Sequence, residues 1–136
     1  MSYAVGAALQ AAVYAHLQAD AGLEALVGGA IYDAAPAGTP GGLYVSLGPE
    51  DVRDRSDGDG GGAAHDFTVN VVTDASGFQA AKVAASAVSD ALVDAPLVLS
   101  RGRLIGLHFL RARARRVQSG ALREIELRFR ARVEDN

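Results

Sequence analysis

Residues Leu122 to Val133 read as an alternating strand. Ile125, Leu127, Phe129, Ala131 and Val133 fall on one side, and Glu124, Glu126, Arg128, Arg130, Arg132 and Glu134 on the other. A period of two sends successive side chains to opposite faces of a strand. The segment is therefore a strand with one face dry and one wet. That pattern belongs to antiparallel sheets covered on a single face. The covering layer has to come from elsewhere in the chain.

Two stretches offer it. Over residues 3–18, Val5, Leu9, Ala12, Val13, His16 and Leu17 recur at helical spacing among alanines of high helix propensity. Asp20 is placed to cap a short helical turn over Leu23 to Val27, which Gly28-Gly29 stops. A longer helix carries Phe78, Ala81, Ala85, Val88 and Leu92 on one stripe and ends near Asp94, before Pro96. Ser76 and Gln79 have capping-box spacing at its start. Further strands are expected at Ala30–Ala34, Leu43–Leu47, Phe67–Thr73, Leu97–Ser100 and Leu104–Ala114. Between two of them, residues 48–66 hold Asp51, Asp54, Asp57, Asp59 and a glycine run. This reads as a long, flexible acidic loop that orders on assembly. The expected architecture is one α+β domain spanning residues 1–136, a mostly antiparallel sheet with two main helices packed on one face.

Charge is unevenly placed. Residues 1–100 carry three basic groups against twelve acidic, a balance of −9, and residues 101–136 carry ten arginines against four acids, a balance of +6. Such a division lets copies of one chain pair head to tail. Arg111, Arg113, Arg115 and Arg116 form the densest cluster, with Arg128 and Arg130 on the neighbouring strand. Arg111, Arg113 and Arg115 continue the same alternation as the apolar Ile105, Leu107 and Phe109. Either the strand overhangs the core as a hairpin arm over Arg111–Ala121, or a bulge near Leu110 reverses its faces. The cluster suits a contact with acidic neighbours, a phosphate contact with nucleic acid, or a solvated face. Asp51, Asp54, Asp57 and Asp59 are the candidate acidic counterpart.

No catalytic chemistry is signalled. The chain has no cysteine, and His16, His65 and His108 lack metal-ligand spacing. The Asp57-Gly58-Asp59 stretch lacks the third oxygen ligand and the distal Glu of a calcium loop. There is no Gly-x-Ser-x-Gly elbow, and the glycine run neither follows a strand nor opens a helix as a phosphate cradle does. No catalytic, cofactor or metal residue is nominated. No apolar run is long enough for a membrane-spanning helix, and no signal peptide is legible.

Several segments, in order, resemble the phage tail-completion or tail terminator family. They are Ala7 to Tyr14 with Leu23 to Gly29; Ile31-Tyr32-Asp33-Ala34-Ala35-Pro36; Leu43 to Gly48; Phe67 to Val72; Arg103 to Leu107; and Leu127 to Ala131. The family commonly has Pro before its aromatic-Val strand, where Gly42-Leu43 stands here. The Ala/Arg-rich composition suits members carried by gene transfer agents. The resemblance implies a structural, non-enzymatic protein of a virion or gene-transfer-agent particle, assembled in the bacterial cytoplasm. It implies a homo-oligomeric ring, a hexamer, on the head-proximal end of the tail tube. Its partners would be the tube protein and the head connector or stopper, with DNA only passing through the lumen and no membrane or cofactor involved. Alternatives are a neighbouring head–tail connector and a nucleic-acid-binding module using the arginine cluster.

Overall fold

The computed structural model describes residues 3–38, 40–56 and 61–135. Helices α1 (Gly6–Ala19) and α2 (Ala21–Val27) come first, then strands β1 (Ile31–Tyr32), β2 (Leu43–Asp54) and β3 (Gly61–Thr73). Helix α3 (Gln79–Leu92) leads into β4 (Arg103–Val117) and β5 (Leu122–Asp135), joined through a short 3-10 turn at Gln118–Gly120. The five strands form one sheet in the order β1-β2-β3-β5-β4. Among the described residues only the β1–β2 pairing is parallel. The α+β class and the mostly antiparallel sheet stand; among the described residues the helices are the two main ones expected and the short turn that Asp20 caps.

The alternation of β5 becomes the middle of the core. Ile125, Leu127, Phe129, Ala131 and Val133 are buried with Phe67, Val69 and Val71 of β3 and Val45 and Leu47 of β2. Leu9, Val13 and Leu17 of α1, Leu23 of α2, and Ala84, Val88 and Leu92 of α3 belong to the same apolar cluster. Phe129 is fully buried between two rings: Phe67 stacks on it at 5.7 Å and Phe109 meets it edge-on at 5.9 Å. Tyr44, Val72 and Leu122 form a smaller cluster of their own. Strand alternation puts each of them on the opposite face from its core neighbours Val45, Val71 and Ile125. Asp20 caps α2 as expected, its carboxylate accepting from the Leu23 amide at 2.9 Å.

Four expectations are corrected. First, residues 48–66 are not one long loop. β2 runs on to Asp54 and β3 begins at Gly61. The register shifts between Leu47 and Glu50, so Gly48 and Pro49 sit in a bulge. A bulge accepts a proline that a regular ladder rejects, so the pair that looked like a stop is a kink. Asp57 and Asp59 lie outside the described residues. Second, α3 begins at Gln79 with no side-chain cap, and the Ser76/Gln79 box does not form. The preceding turn is held otherwise: Thr73 accepts from the Ala75 amide at 3.1 Å, and Arg123 donates to the Ala75 carbonyl at 3.0 Å. Third, Leu97–Ser100 is not a strand. The chain there climbs towards Gly102, whose left-handed backbone (φ 71°) lies against the Glu134 carbonyl, and pairing starts only at Arg103. Fourth, Ile105 does not face the core; it is 52% exposed.

Candidate functional site

The arginine cluster lies on β4, at the edge of the sheet. Its placement turns on two irregularities. The β4–β5 register slips between Leu104 and Gly106 and again between Phe109 and Arg111, leaving Ile105 and Leu110 as extra residues. The second slip resolves the puzzle of an apolar series running into arginines. Phe109 pairs with Phe129, whose face is buried, but Arg111 pairs with Arg128 and Ala112 with Leu127. Ala112 and Ala114 therefore share the face of Leu127 and Ile125, and Arg111, Arg113 and Arg115 take the opposite one. The overhanging arm does not exist, because β5 stays paired with β3 from Arg123 onward, opposite Thr73.

The structure separates the candidate charges into those satisfied within the chain and those that are not. On the central strands the pairs are internal. Asp66 takes a bidentate pair from Arg130, at 2.7 and 2.9 Å, with Arg53 at 3.5 Å. The Arg130 hydrogen bond, with the further charges of Arg53 and Arg128, holds the Asp66 carboxyl below the usual carboxylate range against the opposing effect of burial. Arg128 reaches Asp51, and Arg115 reaches Glu124 at 3.1 Å. Asp54 accepts from the Ser56 hydroxyl at 2.6 Å, which lowers its pKa. Arg101–Asp135 and Arg103–Glu134 close the other end of the sheet. Two of these pairs, Arg128–Asp51 and Arg130–Asp66, join the acidic and the basic parts of the chain inside one molecule. The pairing partners are up to 77 residues apart in the chain, which no local pattern could reveal.

Arg111, Arg113 and Arg116 are different. All three are exposed, and among the described residues none makes an ion pair. Arg111 stands directly opposite Arg128, and Arg116 opposite Arg123. Like charges in facing positions destabilise a strand pair unless an anion intervenes. Arg123 relieves part of this by lying over the Phe78 ring, 5.7 Å from its centre.

Beside these arginines, on the core-facing side of β4, runs an open groove of about 400 Å³ against α3. Phe109, Ala112 and Ala114 form one wall and Ala85, Ser86 and Ser89 the other. Sequence reasoning missed it, because it arises where an edge strand carries alanines beneath a helix that is itself rich in alanine. A second open depression, about 490 Å³, lies along α1 between Tyr3, Gln10, Tyr14 and Asp33. It holds one carboxylate and no nucleophile.

Two of the histidines make contacts inside the fold. His16 is at the rim of α1 and donates to the Ala91 carbonyl at 2.8 Å, tying α1 to α3. His65 is fully buried, its ring stacked on Tyr3 at 6.1 Å and its Nδ1 3.6 Å from Glu50, which also meets the Tyr3 hydroxyl. His108 is exposed. Among the described residues no group of three His, Asp or Glu could hold a metal ion, and no helix is long and apolar enough to cross a membrane.

Among the described residues the domain thus presents an edge strand with unpaired arginines and an open groove on its core-facing side. The sequence places it more closely: residues 11–134 match the family described as tail completion protein gp17, and the chain belongs to that family. It is a structural component of a virion tail and not an enzyme. The fold is similar to a chain of a structure described as "Virion of native gene transfer agent (GTA) particle". The two share 68% sequence identity with a TM-score of 0.92, over 98% of this chain and 99% of that one. No curated protein sequence matches it.

Proposed function

We propose that the chain forms a ring, a hexamer, that caps the head-proximal end of the tail tube. The ring ends tube polymerisation and presents a surface to the head connector or stopper. The observation that carries this reading is the full-length likeness to a chain of a native gene transfer agent virion, within a tail completion family. The shape of the charge distribution supports it. Asp66, Arg130, Asp51 and Arg128 are paired across the inner strands, and Arg111, Arg113 and Arg116, which make no ion pair among the described residues, stand on the edge strand β4, where a neighbour in a ring would meet them. DNA crosses the lumen without being held. Arg115, Arg128, Arg130 and Asp51 serve the contact indirectly, by keeping the strands that carry it in register.

The test is removal of the protein from the particles. A cap that ends polymerisation predicts overlong tails without heads. Tails of normal length lacking only their heads would instead identify a connector, and normal particles would end the proposal.

A further inference from the structure

Unpaired charges stand at both edges of the sheet, and among the described residues Arg132 on the inner strand β5 is unpaired as well. At one edge β4 offers Arg111, Arg113 and Arg116 beside the groove against α3. At the other edge Asp33, next after β1, is exposed, and α2, which precedes β1 in the chain and packs against β2, α1 and α3, presents exposed Glu24 and Leu26. Among the described residues neither Glu24 nor Asp33 has a cation partner. Asp90 and Asp94 are also exposed and unpaired. They end α3 where the Asp94 amide meets the Leu107 carbonyl, roughly 20 Å along β4 from Arg113 at about 3.3 Å per residue.

We propose that the β4–α3 edge of one copy docks on the α2–β1 edge of the next. Arg111, Arg113 and Arg116 pair with Glu24 and Asp33, and Leu26 faces the groove walled by Phe109, Ala112 and Ala114. This deepens the ring reading and rests on it. Three observations select the occupant. The two patches are opposite in charge. Each pairs its charge with exposed apolar surface, which a phosphate backbone would not use. They lie at opposite ends of one sheet, so each contact leaves the reverse patch free for another copy, the heterologous arrangement that closes rings. The facing Arg111–Arg128 and Arg116–Arg123 pairs are relieved when carboxylates arrive from the neighbour.

The chain contains no cysteine, so a clean test is available. Asp33 and Arg113 are separated by the width of a five-stranded sheet, roughly 19 Å at about 4.8 Å per strand. A disulfide needs Cα atoms within about 7 Å, so none can form inside one chain. Particles carrying Asp33→Cys with Arg113→Cys, oxidised gently, are expected to give a ladder of linked chains up to the ring number. Each single variant is expected to stop at monomer. A double variant that stays monomeric, or a ladder from either single variant, overturns the contact.

Charge reversal gives a second arm. Arg111→Glu with Arg113→Glu, or Glu24→Arg with Asp33→Arg, should each weaken assembly at least about tenfold, since like-charge contact costs several kcal/mol. Mixing the two reversed proteins should restore it, because every β4 edge then finds an opposite charge if the copies alternate. No recovery on mixing, or reversed β4 variants that lose salt-sensitive DNA binding with assembly unchanged, overturns the proposal. The readouts keep the two readings apart. A ladder in particles whose tail length does not depend on the protein refutes the cap and leaves the contact standing. Length control without a ladder does the reverse.

Discussion

Arg130 grips Asp66 across the β5–β3 ladder through two parallel hydrogen bonds, Nε to Oδ1 at 2.7 Å and Nη2 to Oδ2 at 2.9 Å, with the Asp66 side chain only 11% exposed. The pair links two adjacent strands at directly facing positions. Asp66 has a folded pKa below its unfolded one, chiefly through the Arg130 hydrogen bond. Its contribution is therefore complete above the unfolded value of about 3.9 and disappears as pH falls through the lowered folded value. Urea unfolding followed from pH 7 to pH 2 should show stability falling mainly below about pH 4. In Asp66→Asn that acid-linked part of the slope should shrink. An unchanged slope would remove the pair from the account.

Arg130→Ala leaves the Asp66 carboxylate largely buried, with only the longer Arg53 contact at 3.5 Å. The urea midpoint is expected to fall clearly at neutral pH, at constant slope. An unchanged midpoint would mean that the pair behaves as an ordinary surface salt bridge.

Phe129→Ala should be the most damaging single truncation in β5. The side chain is fully buried and sits between Phe67 and Phe109, so its loss removes two ring contacts and opens a cavity. A cost of about 3–5 kcal/mol is expected in thermal or urea unfolding. Phe109→Ala, at a ring 44% exposed, should cost clearly less. Equal costs would contradict the burial difference.

Gly102 has a left-handed φ of 71°, and a Cβ there would stand 2.5 Å from the Glu134 carbonyl oxygen; at Gly38, φ is 76° with nothing within 4 Å. Gly38→Ala should therefore cost only the backbone strain, about 1 kcal/mol. Gly102→Ala should cost more, because the backbone it meets must move. Equal melting temperatures for the two variants would rule out the close approach.

Deleting Leu110 is expected to separate folding from assembly. The residue is the surplus one in the second β4 slip, so its removal leaves Phe109 facing Phe129 and Arg111 facing Arg128, on unchanged faces. Circular dichroism should show a retained fold with a change of about 1 kcal/mol or less, while the straightened edge fails to complete particles. An unfolded variant, or one that assembles normally, would contradict this.

The parts of the fold that local periodicity controls were legible in the sequence. β5, the apolar stripes of α1 and α3 and the Asp20 cap all follow from spacing. What escaped was decided by partners distant in the chain. Gly48-Pro49 looks like a strand end and is a bulge, because Glu50 to Asp54 finds a ladder on β3. The Ser76/Gln79 box fails because Thr73 and Arg123 hold the turn before it. For the candidate site, the sequence located the arginines and named the bulge among two options. It could not say which arginines are already satisfied, since that depends on cross-strand neighbours such as Asp51 for Arg128 and Asp66 for Arg130. The α3–β4 groove had no signal, being made of alanines that carry none.

The two slips in β4 also govern how far association can go. A strand with surplus residues is longer than its partner and must curl, and each slip interrupts the outward row of amide and carbonyl groups. The longest uninterrupted run left on that edge is residues 111–117, which is also where the arginines stand. A further strand laid on this margin would meet kinks along half of it and crowded guanidinium groups along the rest. An edge interrupted in this way is a poor template for zipping one sheet onto the next into a fibre.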